Sequence, residues 1–172
     1  MKKIRYSVAM SLDGYIAGPN GEADWITIDP DINFTEIWAQ FDTLLMGRRT
    51  YEAASARLGR DPIERKRAVV ISRTLRQTDH PGVTVLPEPS RDQIQTIRSQ
   101  SKKDIWLFGG AELFRLLLDM GEVDTVEVSI VPVLLGAGIP LLSPPAHQTK
   151  LKLSGHKVYN SGRVSLTYEV QH

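Results

Sequence analysis

Glycines mark one place where a short apolar run gives way to a helix-forming segment. The run at 105–108 ends at Gly109 and Gly110, and the helical pattern begins at Ala111. Two glycines let the backbone approach a ligand closely, and the first amides of the helix would face an anion. The same glycines could serve only to make a tight turn. The junction therefore allows an anion site without requiring one.

A second junction of this kind carries two guanidinium groups. Gly47 follows the apolar run 44–46 and precedes Arg48, Arg49 and Thr50. Arginine binds phosphate oxygens through a bidentate fork, and threonine adds a hydroxyl. A pair of arginines is also common on solvated surfaces. The segment predicts either a phosphate-binding corner or an ordinary exposed helix start.

A third apolar run, at 68–71, ends at Ser72 and Arg73 and offers similar chemistry. Ligands of open α/β sheets collect at the carboxyl ends of the strands. Because three strand ends each offer phosphate-binding groups, we favour a single binding edge over three unrelated turns. That edge would suit a ligand with several phosphates.

Hydrophobic periodicity predicts the elements that must position these groups. Strands are expected at 8–10, 44–46, 68–71, 83–86 and 105–108, and helices at 34–41, 50–56 and 111–120. Asn33 with Glu36 should cap the first helix, and Ser90 with Gln93 a further one. After residue 120, alternation predicts strands around 126–130, 151–153 and 164–170. The order predicts a three-layer α/β fold: a central mixed sheet, helices on both faces and a C-terminal antiparallel hairpin.

Composition narrows the possible functions. With 21 basic and 20 acidic residues scattered along the chain, nucleic acid is not an expected partner. No segment is long enough for a signal peptide core or a membrane span, so we expect one soluble, cytoplasmic domain over 1–172. Cysteine is absent, which excludes thiolate chemistry. We expect no metal site, because the four histidines lack ligand spacing: His80, His147, His156 and His172.

Four blocks, in this order, resemble the dihydrofolate reductase superfamily: 8–17, 46–52, 105–114 and 132–141. The resemblance is strongest to the reductase domain of bifunctional riboflavin-biosynthesis deaminase/reductases and its stand-alone bacterial relatives. It implies a dihydrofolate reductase-like fold, hydride transfer from NADPH to a small heterocyclic substrate, and a homodimer formed through the C-terminal strands. The last block favours the riboflavin branch, whose substrate is a phosphorylated ribosylaminopyrimidine.

The resemblance also implies the cofactor-binding residues. It places Ala9 and Ile16 beside the nicotinamide through backbone contacts, with the loop 13–25 covering the active site. The other implied contacts are Gly47, Arg48 and Thr50 at the pyrophosphate and the adenosine-side phosphate, Ser72 and Arg73 beside them, and Gly109, Gly110, Ala111, Glu112 and Leu113 completing the groove.

The prediction for the substrate side of the site depends on one acidic residue. Dihydrofolate reductases place an acid at the start of the first helix, and the position fifteen before Met46 is Asp31. An acid there is also favoured simply by the helix dipole, so both explanations stay open. Arg57 and Arg60 could bind a substrate phosphate, although their spacing does not select them. Dihydrofolate reduction and non-enzymatic cofactor binding remain alternative functions.

Overall fold

The computed structural model describes residues 1–171, without the side chain of Asp61; His172 lies outside the described residues. Its strands are β1 (Ile4–Ser11), β2 (Tyr15–Ala17), β3 (Phe41–Gly47), β4 (Arg67–Ile71), β5 (Thr84–Leu86), β6 (Asp104–Gly109), β7 (Thr125–Val131), β8 (Ile139–Pro140), β9 (Leu151–Val158) and β10 (Val164–Val170). Its α-helices are α1 (Phe34–Ala39), α2 (Arg48–Leu58), α3 (Asp61–Glu64), α4 (Arg91–Gln100) and α5 (Ala111–Asp119). A 3-10 turn covers Gln77–Asp79.

Eight strands form one mixed sheet in the order β5-β4-β3-β6-β1-β7-β10-β9. The first six in this order are mutually parallel, whereas β10 is antiparallel to both β7 and β9. Strands β2 and β8 form a separate antiparallel pair. The mixed sheet and the C-terminal antiparallel hairpin predicted from the sequence are confirmed.

Apolar side chains alternate between the two faces of the sheet. Leu45 packs on the face covered by α4 and α5, while its neighbours Leu44 and Met46 pack on the face covered by α1, α2 and α3. In β6, Leu107 and Trp106 divide in the same way. A parallel strand covered by helices on both sides has no polar face, which explains its continuous apolar sequence. Helices on both faces are thus confirmed.

Two predicted elements differ from the observed ones. The first helix stops at Ala39, because Phe41 begins β3 and packs at a centroid distance of 4.9 Å from the ring of Trp106. Strand β7 pairs parallel with β1 and antiparallel only with β10, so the antiparallel part begins later than the alternation suggested. The capping box of Ser90 and Gln93 at α4 is confirmed. Within residues 1–171, no helix is both long and apolar enough to cross a membrane.

Candidate functional site

The sheet opens between β1 and β6 at its carboxyl edge. These strands pair only from Ile4 opposite Ile105 to Tyr6 opposite Leu107. Beyond that point β1 continues beside β7 as far as Ser11, and β6 continues beside β3. The helix that follows β1 in the chain, α1, packs on one face of the sheet, and the helix that follows β6, α5, packs on the other face. Open α/β sheets bind ligands at an opening of this kind. The opening therefore lies at the edge predicted from the three strand ends.

The three glycines of this edge come together with Thr50. A Cβ atom on Gly47 would lie 3.9 Å from both the carbonyl oxygen of Gly109 and the amide nitrogen of Gly110. A Cβ atom on Gly110 would lie 3.3 Å from the Thr50 hydroxyl oxygen. Gly109 has a φ of +121°, and the peptide bond between Gly109 and Gly110 is cis. Side chains at these positions would fill a small, backbone-lined cradle.

Helices α2 and α5 begin at this cradle without a side-chain cap. Their N-cap residues are Gly47 and Gly110, and within residues 1–171 neither helix receives a capping side-chain hydrogen bond. Helix α4 starts at the same edge, but the Ser90 hydroxyl accepts from the Gln93 amide at 3.2 Å and caps it. Uncapped amides at a helix start bind anions. Of the helices α2, α4 and α5, two thus leave their first amides for a ligand.

Guanidinium groups line the adjacent rim. Arg48 donates to Glu52 Oε1 and to the Thr74 hydroxyl, both at 2.8 Å. The Ser72 hydroxyl accepts from the Leu75 amide at 3.0 Å and holds the turn after β4. Arg49 and Arg73 are exposed, and within the described chain neither makes a hydrogen bond or an ion pair. The structure brings Gly47, Arg48, Thr50, Ser72, Arg73, Gly109 and Gly110 to one edge.

The first turn of α5 contributes mainly its backbone. Ala111 and Leu113 are only 3% and 6% exposed and belong to the core, so their side chains cannot line a groove. Glu112 is exposed in the first turn. Its carboxylate lies at the positive end of the helix dipole. The binding roles of these three residues stay predictions.

The loop after β1 is fixed by the segment 132–141. The Asp13 carboxylate accepts hydrogen bonds from the Ser11 hydroxyl at 2.6 Å and from the Gly136 amide at 2.7 Å. These bonds, that of Ser11 foremost, lower the pKa of Asp13. Strand β2, which carries Ile16, pairs with β8. Ala9 and Ile16 are both half-buried beside the opening. Two sequence blocks far apart in the chain therefore form one wall of the site.

The segment 18–33 is anchored at two points by arginines. Arg57 of α2 donates to the carbonyl oxygens of Ala23 and Ile26 at 3.5 and 3.4 Å. Arg57 therefore has a structural partner, whereas Arg60 is exposed. Arg163, at the start of β10, donates to the Thr27 carbonyl oxygen. The segment 18–33 is thus tied to α2 on one side and to the C-terminal hairpin on the other.

A buried ion pair completes the second anchor. Asp29 is 6% exposed, and its carboxylate lies 3.9 Å from Arg163 Nε and accepts a hydrogen bond from the Ser161 hydroxyl. The hydrogen bond from Ser161 foremost, then that from the Asp31 amide and the charge of Arg163, lower the pKa of Asp29. Sequence reasoning missed both residues of this pair. No local signal marks them, because their positions are far apart in the chain.

Asp31 lies beside this anchor. It is exposed, and its carboxylate accepts from the Asn160 side-chain amide at 3.2 Å. The N-cap of α1 is Asn33, whose side-chain oxygen accepts from the Glu36 amide at 3.1 Å. Asp31 is therefore not the capping group of the helix. Its catalytic role stays a prediction.

The chain matches the model of the RibD C-terminal domain over residues 2–165. It is 33% identical to the protein YyaP of Bacillus subtilis (strain 168), over 97% of this chain and 94% of that protein. Two solved structures show the same fold. A putative riboflavin biosynthesis protein from Shewanella sp. PV-4 has a TM-score of 0.84 at 24% identity, covering 100% of both chains. A dihydrofolate reductase from Enterococcus faecalis, complexed with NADP(H), has a TM-score of 0.71 at 17% identity, covering 99% of this chain and 97% of that chain. The fold is therefore dihydrofolate reductase-like.

Proposed function

We propose an activity for this chain, which belongs to the RibD C-terminal domain family. In this proposal the protein is an NADPH-dependent reductase that transfers a hydride to a small heterocyclic substrate. The proposed substrate is of the riboflavin-biosynthesis type, such as 5-amino-6-(5-phosphoribosylamino)uracil. One observation carries the proposal: the uncapped starts of α2 and α5 meet at the glycine cradle, beside Arg49 and Arg73, which are unpaired within the described chain.

The residues at the cradle fit a dinucleotide phosphate. The amides at the starts of α2 and α5 would bind the pyrophosphate, since both helix dipoles favour negative charge there. Thr50 adds a hydroxyl at the same point. Arg73, next to Ser72, would bind the extra phosphate that distinguishes NADPH from NADH. An unpaired guanidinium forms charge-assisted bonds to phosphate without first breaking an internal pair.

NADPH supplies the hydride when it is bound, and the chain supplies orientation and a sheltered pocket. The nicotinamide would lie at the opening between β1 and β6, beside Ala9 and under the β2–β8 wall. The anchored segment 18–33 would cover it and exclude water, which protects a hydride donor from side reactions. Asp31 is the candidate proton donor for the substrate, because it is an exposed acid that lies just before the start of α1.

Dihydrofolate reduction is the second candidate. The fold similarity to the dihydrofolate reductase from Enterococcus faecalis favours it. The two candidates share the cofactor cradle and differ only on the substrate side. A cofactor-binding protein without turnover is the non-enzymatic alternative.

The test is a titration of the protein with NADPH and NADH, followed by the fluorescence of Trp25, Trp38 and Trp106. We expect NADPH to bind more tightly. Arg73→Ala should weaken NADPH about 10- to 100-fold and leave NADH unchanged, because it removes a charged hydrogen-bond donor. Arg60→Ala, an exposed arginine beyond the other end of α2, is the matched control and should change neither affinity.

Each outcome has a defined meaning. Failure to bind either nucleotide would overturn the proposed function. Binding followed by oxidation of NADPH with the ribosylaminopyrimidine, but not with dihydrofolate, would support the riboflavin type; the reverse would favour the second candidate. Binding with no turnover of either compound would favour the non-enzymatic alternative.

A homodimer is also part of this proposal. Leu151, Leu153 and Val158 of the edge strand β9 are 44%, 51% and 68% exposed and lie on one face of the sheet. A second copy of the chain would cover this apolar strip. Sedimentation equilibrium tests it, and a monomer at micromolar concentration would contradict it.

A further inference from the structure

Backbone groups of β1 point alternately towards its two neighbours in the sheet. The Lys3 carbonyl, just before β1, accepts from the Ile105 amide at 2.8 Å, whereas the Ile4 carbonyl accepts on the β7 side at 2.9 Å. Because alternate residues of a parallel strand bond to the same neighbour, Ser7 and Ala9 face the β6 side, as Lys3 does. The pairing of β1 with β6 ends before both of them. Their backbone groups therefore point into the opening.

The Ser7 carbonyl has a partner all the same, and that partner is a side chain. The indole Nε1–H of Trp106 donates to it at 2.9 Å. Trp106 belongs to β6, where it lies opposite Arg5 of β1. Just beyond it, between Leu45 and Met46, β3 and β6 lose their regular register. An indole of β6 thus replaces the next bond of the ladder at the point where β6 leaves β1.

Three aromatic rings hold this indole in place. The Trp106 ring lies at centroid distances of 4.9 Å from Phe41, 4.9 Å from Phe108 and 5.6 Å from Trp38. It is 5% exposed. A buried indole N–H needs a partner, whereas a phenylalanine ring in the same cluster would need none. Packing alone therefore does not require this N–H, but the Ser7 carbonyl does require a donor.

We propose that Trp106 is a positioning residue for the nicotinamide. By bonding to the Ser7 carbonyl, its indole N–H keeps β6 from pairing further along β1, and the Ala9 amide and carbonyl stay available to the nicotinamide. Without that N–H the Ser7 carbonyl would lack a partner, and a longer ladder with β6 would satisfy it by closing the opening. The proposal rests on the proposed function, because it takes the nicotinamide to lie beside Ala9.

The test compares NADPH with 2′-phospho-ADP-ribose, the same nucleotide without its nicotinamide. Calorimetry is the method, because removing a tryptophan changes the fluorescence signal. We expect Trp106→Phe to weaken NADPH about 10-fold or more and 2′-phospho-ADP-ribose less than about 2-fold, since only NADPH reaches the opening. A merely structural role would weaken both ligands alike. Trp38→Phe is the matched control: it changes the same aromatic cluster, but within the described chain the Trp38 indole donates no hydrogen bond. It should leave both affinities unchanged.

Hydrogen exchange of the Ala9 amide, followed by NMR without nucleotide, tests the same role without a ligand. If β6 pairs further along β1 in Trp106→Phe, the exchange of this amide should slow about 10-fold or more. Trp38→Phe should leave it unchanged. In the wild-type protein, NADPH should protect the Ala9 amide and 2′-phospho-ADP-ribose should not, which gives a measurement that needs no variant to fold.

Several results would overturn the inference. Trp106→Phe could weaken the two ligands equally, or Trp38→Phe could reproduce its selective loss. Wild-type protein that binds NADPH no more tightly than 2′-phospho-ADP-ribose, or that shows no protection of Ala9 by NADPH, would also contradict it. Failure to bind either ligand would count against the proposed function alone. Exchange without nucleotide would then still decide the role of Trp106, and an unchanged rate at Ala9 in Trp106→Phe would refute it.

Discussion

The two edges of the parallel strands use charge in opposite ways. At the amino edge, the Arg98 side chain is 4% exposed and donates to Asp124 at 2.7 Å and to Glu122 at 3.3 Å. It also bonds to the carbonyl oxygens of Lys2 and Glu122, at 2.7 and 2.9 Å. At the carboxyl edge, Arg49 and Arg73 are exposed and unpaired within the described residues.

Backbone amides at the two edges show the same contrast. The Asp124 carboxylate accepts from the Ile4 amide at 2.7 Å and so joins the start of β1 to the network around Arg98. At the other edge, the amides that open α2 and α5 have no side-chain cap among the residues that the structure describes. Polar groups that are paired internally stabilise the fold, and groups left unpaired remain available to a ligand. The amino edge should therefore control stability, and the carboxyl edge should control binding.

The largest expected effect is on the amino edge. Arg98→Met leaves Glu122, which is 3% exposed, without its main cation. Breaking a buried ion pair in this way costs about 3–5 kcal/mol in the free energy of unfolding. We expect this loss in urea denaturation, with the NADPH dissociation constant of the folded variant unchanged.

Arg91 provides the control for that prediction. Its side chain is 67% exposed, and it lies 3.8 Å from the same Glu122 carboxylate. Because exposed pairs contribute little, Arg91→Ala should cost about 1 kcal/mol or less. Equal losses in the two variants would show that burial does not set the strength of these pairs. A weakened NADPH affinity in folded Arg98→Met would show that the two edges are not separate.

The next effect is on the carboxyl edge and should combine stability with binding. Gly109 has a φ of +121°, which a side chain tolerates poorly, so Gly109→Ala should cost about 1–3 kcal/mol. A Cβ atom there would also lie 3.8 Å from the Thr50 hydroxyl oxygen, inside the cradle. NADPH affinity should therefore fall as well, about 10-fold or more, in the fluorescence titration.

Gly155→Ala separates this effect from a general intolerance of alanine. Gly155 lies in β9, and a Cβ atom there would meet Thr167 Cβ at 3.7 Å, an ordinary contact. Its replacement should leave NADPH affinity unchanged and stability unchanged or slightly raised. A Gly109→Ala variant that binds NADPH normally would contradict the position of the cradle.

The carboxyl edge was predictable from the sequence because its signals are local. Gly109 and Gly110 directly follow an apolar strand, and Gly47 repeats the pattern, so each junction is visible within a few residues. The cap formed by Ser90 and Gln93 is local in the same sense. The structure adds that Gly47 and Gly110 are the N-cap residues of α2 and α5, and glycine has no side chain that could cap a helix.

The contacts that anchor the segment 18–33 were not predictable in this way. Asp29 and the Ser161 that donates to it are 132 positions apart, and nothing near either residue marks the other. Arg57 is one of several arginines in its region, and only the tertiary structure turns it towards the Ala23 and Ile26 carbonyls. The direction of β7 was hidden for a related reason. The alternation of apolar and polar residues indicates which side chains are buried. It is the same whether the neighbouring strand is parallel or antiparallel.

The smallest expected effect compares an unpaired hydroxyl with a paired one. Tyr6 is fully buried and stacks on Phe114 at a centroid distance of 3.9 Å. Burial raises the pKa of its phenol well above the ordinary value, and in the described chain the hydroxyl has no partner. Tyr51, on α2, is equally buried, but its hydroxyl lies 3.2 Å from His80 Nδ1.

Tyr6→Phe should leave the free energy of unfolding unchanged or raise it by up to about 1 kcal/mol, whereas Tyr51→Phe should lower it by about 0.5–1.5 kcal/mol. Urea denaturation of both variants measures the difference. A loss in Tyr6→Phe as large as that in Tyr51→Phe would mean that internal pairing does not decide which polar groups stabilise this fold, and the contrast between the two edges would lose its physical basis.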